Sequence, residues 1–355
     1  MVNIYGAGLS GLAASIILAR KGYDVTVFEK EERVGLLGNY TPSVQMTPFD
    51  FKKMKDYIGI DVEGCFSKLH SFEAYIYSKT VYFDPSYLYV TERGASKTSI
   101  DYFLFKIASD EGVNFEFSSP LESDMISSVP NNSIIATGTY SGICKNLKLG
   151  GIPFVHFDGH VDAEIDENFC WAFFDSYVGG YGYAYVASKD GLVSGEVDFF
   201  ISQDYEKLLK IFKKRLIEAK NLEFDEWRLI KDYVPIRFNL IKRLHGKSFV
   251  LAGAISGFHD PFFGFGVNSA LISGKIAALT VISKKKGLEE FKKFTRILGR
   301  MFLFSRIYRN LPLKNIVFPY LLSGSKTSIP IVGSNLRSIP GFTQDNCFKI
   351  LNVKN

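Results

Sequence analysis

A glycine-rich turn between two short apolar segments limits the possible fold of this chain more than any other feature. Residues 2–5 have the composition of a buried strand, and the turn Gly6-Ala7-Gly8-Leu9-Ser10-Gly11 opens an apolar helical pattern that ends at Gly22. A second apolar segment, 24–28, is followed by Glu29. The order strand, glycine turn, helix, strand and acid is typical of a dinucleotide-binding unit. The sequence therefore predicts a Rossmann-like domain that begins with this turn.

Each residue of the turn has a mechanical role in such a unit. Gly6 permits the tight turn out of the strand, Gly8 lets the backbone approach a pyrophosphate, and Gly11 lets the helix pack closely on the sheet. The helix N-terminus, which includes Ser10, offers amide donors and the positive end of a dipole. Glu29 follows Gly11 by eighteen residues, where a carboxylate can accept hydrogen bonds from both ribose hydroxyls. We therefore expect these five residues to bind a dinucleotide.

The segment after Glu29 favours FAD over NAD. Residues 29–38, E-K-E-E-R-V-G-L-L-G, resemble the E-K-x-x-x-x-G-G stretch of FAD-dependent oxidases and reductases that have an FAD domain of the glutathione-reductase type. This resemblance implies that Lys30, Arg33 and Gly38 lie at the cofactor. The sequence holds no second G-x-G-x-x-G, so it predicts no separate NAD(P)H domain and leaves the electron donor unknown.

Helices and strands continue to alternate up to residue 138. A loop with Arg93 precedes an amphipathic helix at 100–111 and a strand at 113–117. A further buried strand ends in Thr137-Gly138, and an Ala-Thr-Gly ending of this kind is common where a flavoprotein chain passes near its cofactor. Thr137 and Gly138 are therefore expected at the cofactor.

A second region of different character begins near residue 152. Aromatic and small residues alternate with period two from 152 to 197, with turns at 179–180 and 189–191, which predicts antiparallel strands. Large planar side chains can fill a core or line an apolar pocket. Tyr183 and Tyr185 are the expected wall of a substrate pocket.

A second glycine-rich turn, 253–268, follows a buried strand at 249–253. It opens a helix of small residues whose N-terminus suits an anionic group or the electron-rich edge of a ring. The residues of this turn that are expected at the cofactor are Gly253, Ala254, Pro261, Gly264, Phe265, Gly266, Val267 and Asn268. His259 lies in the same loop and is a candidate proton donor, although a single loop histidine is more often only a hydrogen-bond partner.

The second turn resembles the signature G-D-A-A-G-x-x-x-P-x-x-G-x-G-x-x-x-A-x-x-S-G of FAD-dependent oxidoreductases with the para-hydroxybenzoate-hydroxylase fold. The positions that fit are Gly253, Gly257, Pro261, Gly264, Gly266, Ala270, Ser273 and Gly274. Within that group the chain is most similar to the archaeal geranylgeranyl reductases, and Arg93 resembles the family's arginine near the FAD phosphates. Ala254 departs from the pattern, because the family has an aspartate there that holds a ribityl hydroxyl.

The resemblance implies an α/β fold. We expect a Rossmann-like FAD-binding domain of the glutathione-reductase type, an inserted antiparallel β-sheet substrate domain and a helical C-terminal segment. The expected domain bounds are 1–65, 92–150 and 235–283 for the FAD domain, 66–91 and 151–234 for the substrate domain, and 284–355 for the basic C-terminal segment.

The same resemblance implies an FAD-dependent oxidoreductase that acts on an apolar or lipid-like small molecule. The leading hypothesis is the reduction of isoprenoid (geranylgeranyl-type) double bonds by hydride transfer from flavin N5. One alternative is a flavin-dependent monooxygenase of the same fold. Another is a flavin- or lipid-binding protein without redox turnover.

The positive charge of the chain is concentrated near its C-terminal end. The net charge is +5, which is too mild to indicate nucleic-acid binding, but residues 284–314 hold ten Lys and Arg against two Glu. An apolar stripe runs along this segment, so the sequence predicts a basic amphipathic helix. Such a helix either packs on the core with its basic face in solvent or makes a peripheral membrane contact.

The four cysteines of the chain are scattered along the sequence. They form no C-x-x-C pair and have no histidine at metal-ligand spacing, so the sequence predicts no disulfide scaffold and no metal site. A reducing, cytoplasmic compartment is expected, and the basic segment leaves a peripheral position at the membrane open.

Overall fold

The computed structural model describes residues 1–36, 42–76, 79–162, 165–174, 184–199, 204–259, 266–309 and 350–354. The strands of these ranges, in chain order, are β1 (Val2–Tyr5), β2 (Val25–Phe28), β3 (Ser43–Pro48), β4 (Phe66–Lys68), β5 (Ser71–Ile76), β6 (Lys79–Phe83), β7 (Leu88–Arg93), β8 (Asn114–Glu116), β9 (Ile134–Ile135), β10 (Gly151–Asp162), β11 (Phe169–Phe173), β12 (Ala184–Lys189), β13 (Leu192–Phe199), β14 (Arg228–Pro235), β15 (Ile241–Leu244), β16 (Lys247–Leu251) and β17 (Ile350–Lys354).

The α-helices of the same ranges are α1 (Leu9–Ala19), α2 (Phe51–Ile58), α3 (Ile100–Asp110), α4 (Ser141–Asn146), α5 (Tyr205–Lys220), α6 (Val267–Ile282) and α7 (Lys284–Arg309). The helix predicted at 100–111 is confirmed to within one residue as α3. It begins where it does because the Ser99 side chain accepts a hydrogen bond from the Tyr102 amide and so caps its first turn.

A six-stranded sheet forms the centre of the nucleotide-binding region. Its order is β15-β16-β9-β1-β2-β8, and every pair is parallel except the β15–β16 hairpin. Helices α1, α3 and α6 cover one face with an apolar core in which Ile4, Leu12 and Leu271 have no exposed surface. Ile135 and Phe249 face a second apolar cluster that includes α4. Helices on both faces of a largely parallel sheet make this region a doubly wound α/β unit, as predicted.

An eight-stranded sheet forms the second region, in the order β14-β10-β13-β12-β11-β5-β6-β17. Neighbours are antiparallel except β11 and β5. The turn predicted at 189–191 is confirmed: Asp190 and Gly191, both with positive φ, close the two-residue β12–β13 hairpin. A small sheet of β3, β7 and β4 packs on one face of this sheet, and α5 packs on the other.

The described part of the C-terminal segment consists of one long helix and one short strand. Helix α7 covers its first part, but the last strand, β17, pairs with β6 at the edge of the eight-stranded sheet. In α7, Phe294 and Leu298 are buried in the main core, whereas Lys292 and Lys293 are exposed. This part of the apolar stripe is therefore used by the core. Within the described ranges, no helix has both the length and the apolar character that a membrane span requires.

Candidate functional site

Three parallel strands of the central sheet end beside the start of α1. Strand β1 ends before Gly6, β9 before Thr137-Gly138 and β16 before Gly253. Backbone hydrogen bonds extend the pairing past the strand ends, from Ala136 N to Tyr5 O at 2.8 Å and from Ala252 N to Ile135 O at 3.0 Å. The carboxyl ends of parallel strands are where α/β proteins bind ligands.

The glycines at this edge fall into two classes. A Cβ on Gly11 would lie 2.0 Å from the Gly6 carbonyl oxygen, and one on Gly6 would lie 2.5 Å from the Ala136 oxygen, so both are needed for close packing of the chain on itself. A Cβ on Gly8 or on Gly138 would meet no described atom within 4 Å. Gly8 and Gly138 therefore border open space at the ends of β1 and β9.

Helix α1 begins without a side-chain cap from any described residue, and its first turn carries no acid. Its N-cap residue, Gly8, leaves the first amides of the helix available to an anion. Helix α6 begins in the same way after Gly266. Val267 and Asn268 are both buried in its first turn, and Asn268 Nδ2 donates to the Pro48 oxygen at 3.0 Å, which ties the end of β3 to this helix.

Small residues bring α1 and α6 into contact. A Cβ on Gly274 would lie 2.4 Å from the Ser10 oxygen, and one on Gly253 would lie 2.5 Å from Ser10 Oγ. Ser273 Oγ accepts a hydrogen bond from Gly253 N at 2.8 Å. The two glycine-rich motifs of the sequence are therefore parts of one site, and Ser10 packs between them.

Glu29 closes the edge at the end of β2. It is buried, its Oε2 accepts from Ala7 N at 2.6 Å, and its Oε1 accepts from Glu31 N at 3.1 Å. Each carboxylate oxygen can accept more than one hydrogen bond, so these contacts leave room for ribose hydroxyls. Lys30 and Arg33 lie exposed just beyond it.

Arg93 lies at the end of β7 with its guanidinium held by a carboxylate. Its Nε and Nη2 donate to the two oxygens of Asp101, at 2.7 and 3.0 Å. The next residue, Gly94, packs so closely that a Cβ on Gly35 would lie 2.0 Å from the Gly94 oxygen. The segment after Glu29 is thereby fixed against the loop that carries Arg93.

Thr137 supplies a polar atom that the described residues leave unused. Its Oγ1 is buried and has no hydrogen-bond partner among them. A buried hydroxyl without a partner is uncommon in a native fold, and here it stands beside the open space at Gly138. This atom fits a site that receives a polar ligand at the end of β9.

Two further predicted residues, Ala254 and His259, lie in the second glycine-rich turn. Ala254 lies partly exposed in a 3₁₀ turn and its carbonyl accepts from Gly257 N, so its methyl group offers nothing in place of the family's aspartate. His259 is partly buried, and its amide donates to the Gly257 oxygen at 3.1 Å. The predicted residues that lie outside the described ranges are Gly38, Tyr183, Pro261, Gly264 and Phe265.

The second sheet carries aromatic side chains on both of its faces. Trp171 and Phe173 face α5, because alternate residues of a strand point to opposite faces. Tyr185 is buried on the face toward β3, and its hydroxyl donates to Glu196 Oε2 at 2.7 Å. Its role as a pocket wall stays a prediction. The face toward β3 is therefore apolar on one side of Tyr185 and charged on the other.

The charged side of that face holds four titratable residues that the sequence-based interpretation missed. His156 and Asp158 on β10 are directly opposite Asp198 and Glu196 on β13. Burial alone would lower the pKa of His156, but its hydrogen bond to Asp158 and the nearby carboxylates raise that pKa to about 10. Burial, together with neighbouring carboxylates, raises the pKa of Glu196 and of Asp198. The only sequence signal was a period-two pattern, H-x-D and E-x-D, on two separate segments.

A family model described as an NAD(P)-binding Rossmann-like domain matches residues 4–50. It covers the first glycine turn and the segment after Glu29. A search of curated proteins found no match.

Solved structures match over almost the whole chain. A geranylgeranyl bacteriochlorophyll reductase-like protein from Thermoplasma acidophilum is 15% identical, with a TM-score of 0.64 over 98% of this chain and 94% of that one. The p-nitrophenol 4-monooxygenase of Pseudomonas putida is 15% identical, with a TM-score of 0.65 over 95% and 98%. A flavin-dependent brominase is 14% identical, with a TM-score of 0.61 over 98% and 94%. The chain has the fold of flavin-dependent oxidoreductases. The predicted fold class is therefore confirmed.

Proposed function

We propose that this protein is an FAD-dependent oxidoreductase. The observation that carries the proposal is the uncapped start of α1, which meets open space at Gly8 and Gly138 and the unpartnered Thr137 Oγ1. These features suit the phosphates and polar groups of a dinucleotide. FAD, when bound, supplies the redox chemistry that the protein's own side chains lack.

The chain's residues then have binding and positioning roles. Glu29 binds the adenosine ribose, and the amides that follow Gly8 bind the diphosphate with Arg93 close by. The uncapped start of α6 at Gly266 is the counterpart for the pyrimidine end of the flavin ring, because a helix N-terminus stabilises negative charge there. Ala254 offers no carboxylate, so we expect weaker flavin binding than in family members with aspartate.

The finer proposal is the reduction of isoprenoid double bonds in an apolar or lipid-like substrate. Its support is the similarity to a reductase-like protein over 98% of this chain. The electron donor is unassigned, and peripheral membrane contact through 284–314 stays a prediction.

A monooxygenase is the second candidate. It is favoured by the equally extensive similarity to p-nitrophenol 4-monooxygenase. The two candidates differ in their need for oxygen. A protein that binds flavin without turnover is the third outcome.

The test is an anaerobic reoxidation experiment. The flavin-loaded protein is photoreduced without oxygen and mixed with a geranylgeranyl lipid, and the flavin absorbance is followed. The reductase proposal predicts reoxidation by the lipid, with a saturated product in the mass spectrum. Reoxidation only by oxygen, with a hydroxylated product, would favour the monooxygenase, and a protein that binds no flavin would contradict both.

A further inference from the structure

The charged cluster on the eight-stranded sheet consists of His156, Asp158, Glu196 and Asp198. The register places His156 opposite Asp198 and Asp158 opposite Glu196, so the four side chains share the face toward β3. The side chain of Asp158 is 6% exposed and Asp198 is 5% exposed as a residue. The His156 side chain is 14% exposed and Glu196 is partly buried, so the four groups lie in a largely buried environment, where uncompensated charge is costly.

Neighbouring groups fix this cluster without neutralising it. Glu196 Oε2 accepts from Tyr185 OH at 2.7 Å and from Gln45 Nε2 at 3.5 Å, and both donors are neutral. Arg228 lies opposite Asp158 on β14; its Nε is paired with Glu226 at 3.4 Å, and its buried Nη1 has no partner among the described residues. Even with the imidazolium and this guanidinium counted, three ionised carboxylates leave the cluster with an excess of negative charge.

Two polar atoms of the cluster lack a partner. His156 Nδ1 and Asp198 Oδ1 are both buried, and neither has a hydrogen-bond partner among the described residues. On its other side the imidazole is oriented, since His156 Nε2 lies 3.3 Å from Asp158 Oδ2. One nitrogen of the ring is thus held by a carboxylate while the other is left without a partner.

This is the arrangement of a metal-binding histidine. Such a histidine donates one ring N–H to a carboxylate and ligates with the other nitrogen, and the carboxylate fixes the ring and raises its basicity. One ligand atom from each of His156, Glu196 and Asp198 lies within 4.8 Å of the other two. Ligands that surround one ion at ~2.0–2.2 Å are at most ~4.4 Å apart, so a shift of a few tenths of an ångström brings these three atoms to one ion.

We propose that His156, Glu196 and Asp198 bind a divalent transition cation such as Zn²⁺ or Mn²⁺, with Asp158 orienting the histidine. One imidazole and two carboxylates are donors that these ions accept. Three protein ligands leave coordination positions for water or a substrate oxygen. The cation would lie on the face of the sheet toward β3 and compensate the carboxylates there. The site is built by strands β10 and β13 alone, so the proposal is independent of flavin binding.

The test uses the full chain after dialysis against a chelator. Isothermal titration with ZnCl₂ and with MnCl₂ should show one site per chain. Asp198→Asn and His156→Gln should each lower the affinity by about 100-fold, and Asp158→Asn by about 10- to 100-fold. His160→Gln is the matched control, because His160 lies on the same strand and face, and it should leave the affinity unchanged.

A spectroscopic measurement on the unaltered chain removes any dependence on how the variants fold. Stoichiometric CoCl₂ should give visible absorption bands of a low-coordinate site, and Zn²⁺ should displace them. The proposal is overturned if the unaltered chain binds none of the three ions stoichiometrically. It is also overturned if His156→Gln and His160→Gln, both shown to be folded by circular dichroism, bind the ions alike; the cluster would then be a set of carboxyls that share protons.

Discussion

The two large sheets build their polar sites in opposite ways. At the end of the six-stranded sheet the polar groups are backbone amides, and the decisive residues are glycines that make room for them. On the eight-stranded sheet the polar groups are side chains, His156 and three carboxylates, fixed by cross-strand pairing. The first site depends on close packing of the backbone, and the second depends on buried charge. Changes in volume should therefore damage the first site most, and changes in charge the second.

Cysteine labelling can compare how readily each region opens. Burial raises the pKa of Cys65, in the core of the six-stranded sheet, to about 12, and it also raises the pKa of Cys170 on the eight-stranded sheet. At pH 8 little of Cys65 is present as thiolate while the chain is folded. The rate of its alkylation should therefore rise tenfold per pH unit. We expect iodoacetamide to label both cysteines at least about 1,000-fold more slowly than after unfolding. Peptide mapping would show which opens first, and fast labelling of the folded chain would contradict the burial of these thiols.

The face of the eight-stranded sheet that α5 covers should be sensitive to a loss of side-chain volume. Phe212 of α5 is fully buried against Phe173 and Trp227. Phe212→Ala should lower the free energy of unfolding by about 3–5 kcal/mol in a urea titration. The control is Ile217→Ala, on the same helix but at a position 40% exposed. It should lower the free energy of unfolding by much less. Equal losses for the two variants would mean that α5 does not pack as described.

The glycines of the first turn separate packing from binding. Gly11→Ala should destabilise the chain by about 1–3 kcal/mol and weaken FAD binding, because the new Cβ meets the Gly6 carbonyl. Gly8→Ala meets no described atom, so it should keep the melting temperature but still weaken FAD binding. Calorimetry and a flavin titration on both variants measure the two effects. If Gly8→Ala bound FAD as the parent does, the open space at Gly8 would not be the diphosphate site.

Removing only the hydroxyl of Tyr185 is the smallest change that tests the charged part of the face toward β3. Tyr185→Phe removes the hydroxyl that donates to Glu196, and the buried carboxylate then loses one partner. Because Glu196 is partly buried, we expect a loss of about 1 kcal/mol in the free energy of unfolding. Tyr87→Phe, at an exposed position, should have no measurable effect. No loss in Tyr185→Phe would argue against the hydrogen bond as the structure has it.

The same contrast explains what could be predicted from the sequence. The nucleotide-binding site follows from contiguous motifs, since each glycine, Glu29 and the helix starts have fixed spacing along the chain. The contact of Ser10 with Gly253 and Gly274 joins two such motifs that are far apart in sequence, and only the fold shows it.

The charged cluster could not be predicted in this way. His156 and Glu196 are separated by forty residues, and only the pairing of β10 with β13 brings them together. Period-two patterns also do not say which face of a strand is covered by a helix, so the division of Trp171 and Tyr185 between two faces was out of reach.

The central claim is that the edge formed by Gly8, Thr137 and Gly138 binds FAD. The most direct measurement is a titration of the purified, flavin-free chain with FAD, followed by the quenching of flavin fluorescence, with NAD as a competitor. The account predicts saturable binding of one FAD per chain that NAD does not displace and that Gly8→Ala weakens. A chain that leaves FAD fluorescence unchanged at every concentration, while it remains folded, would contradict it.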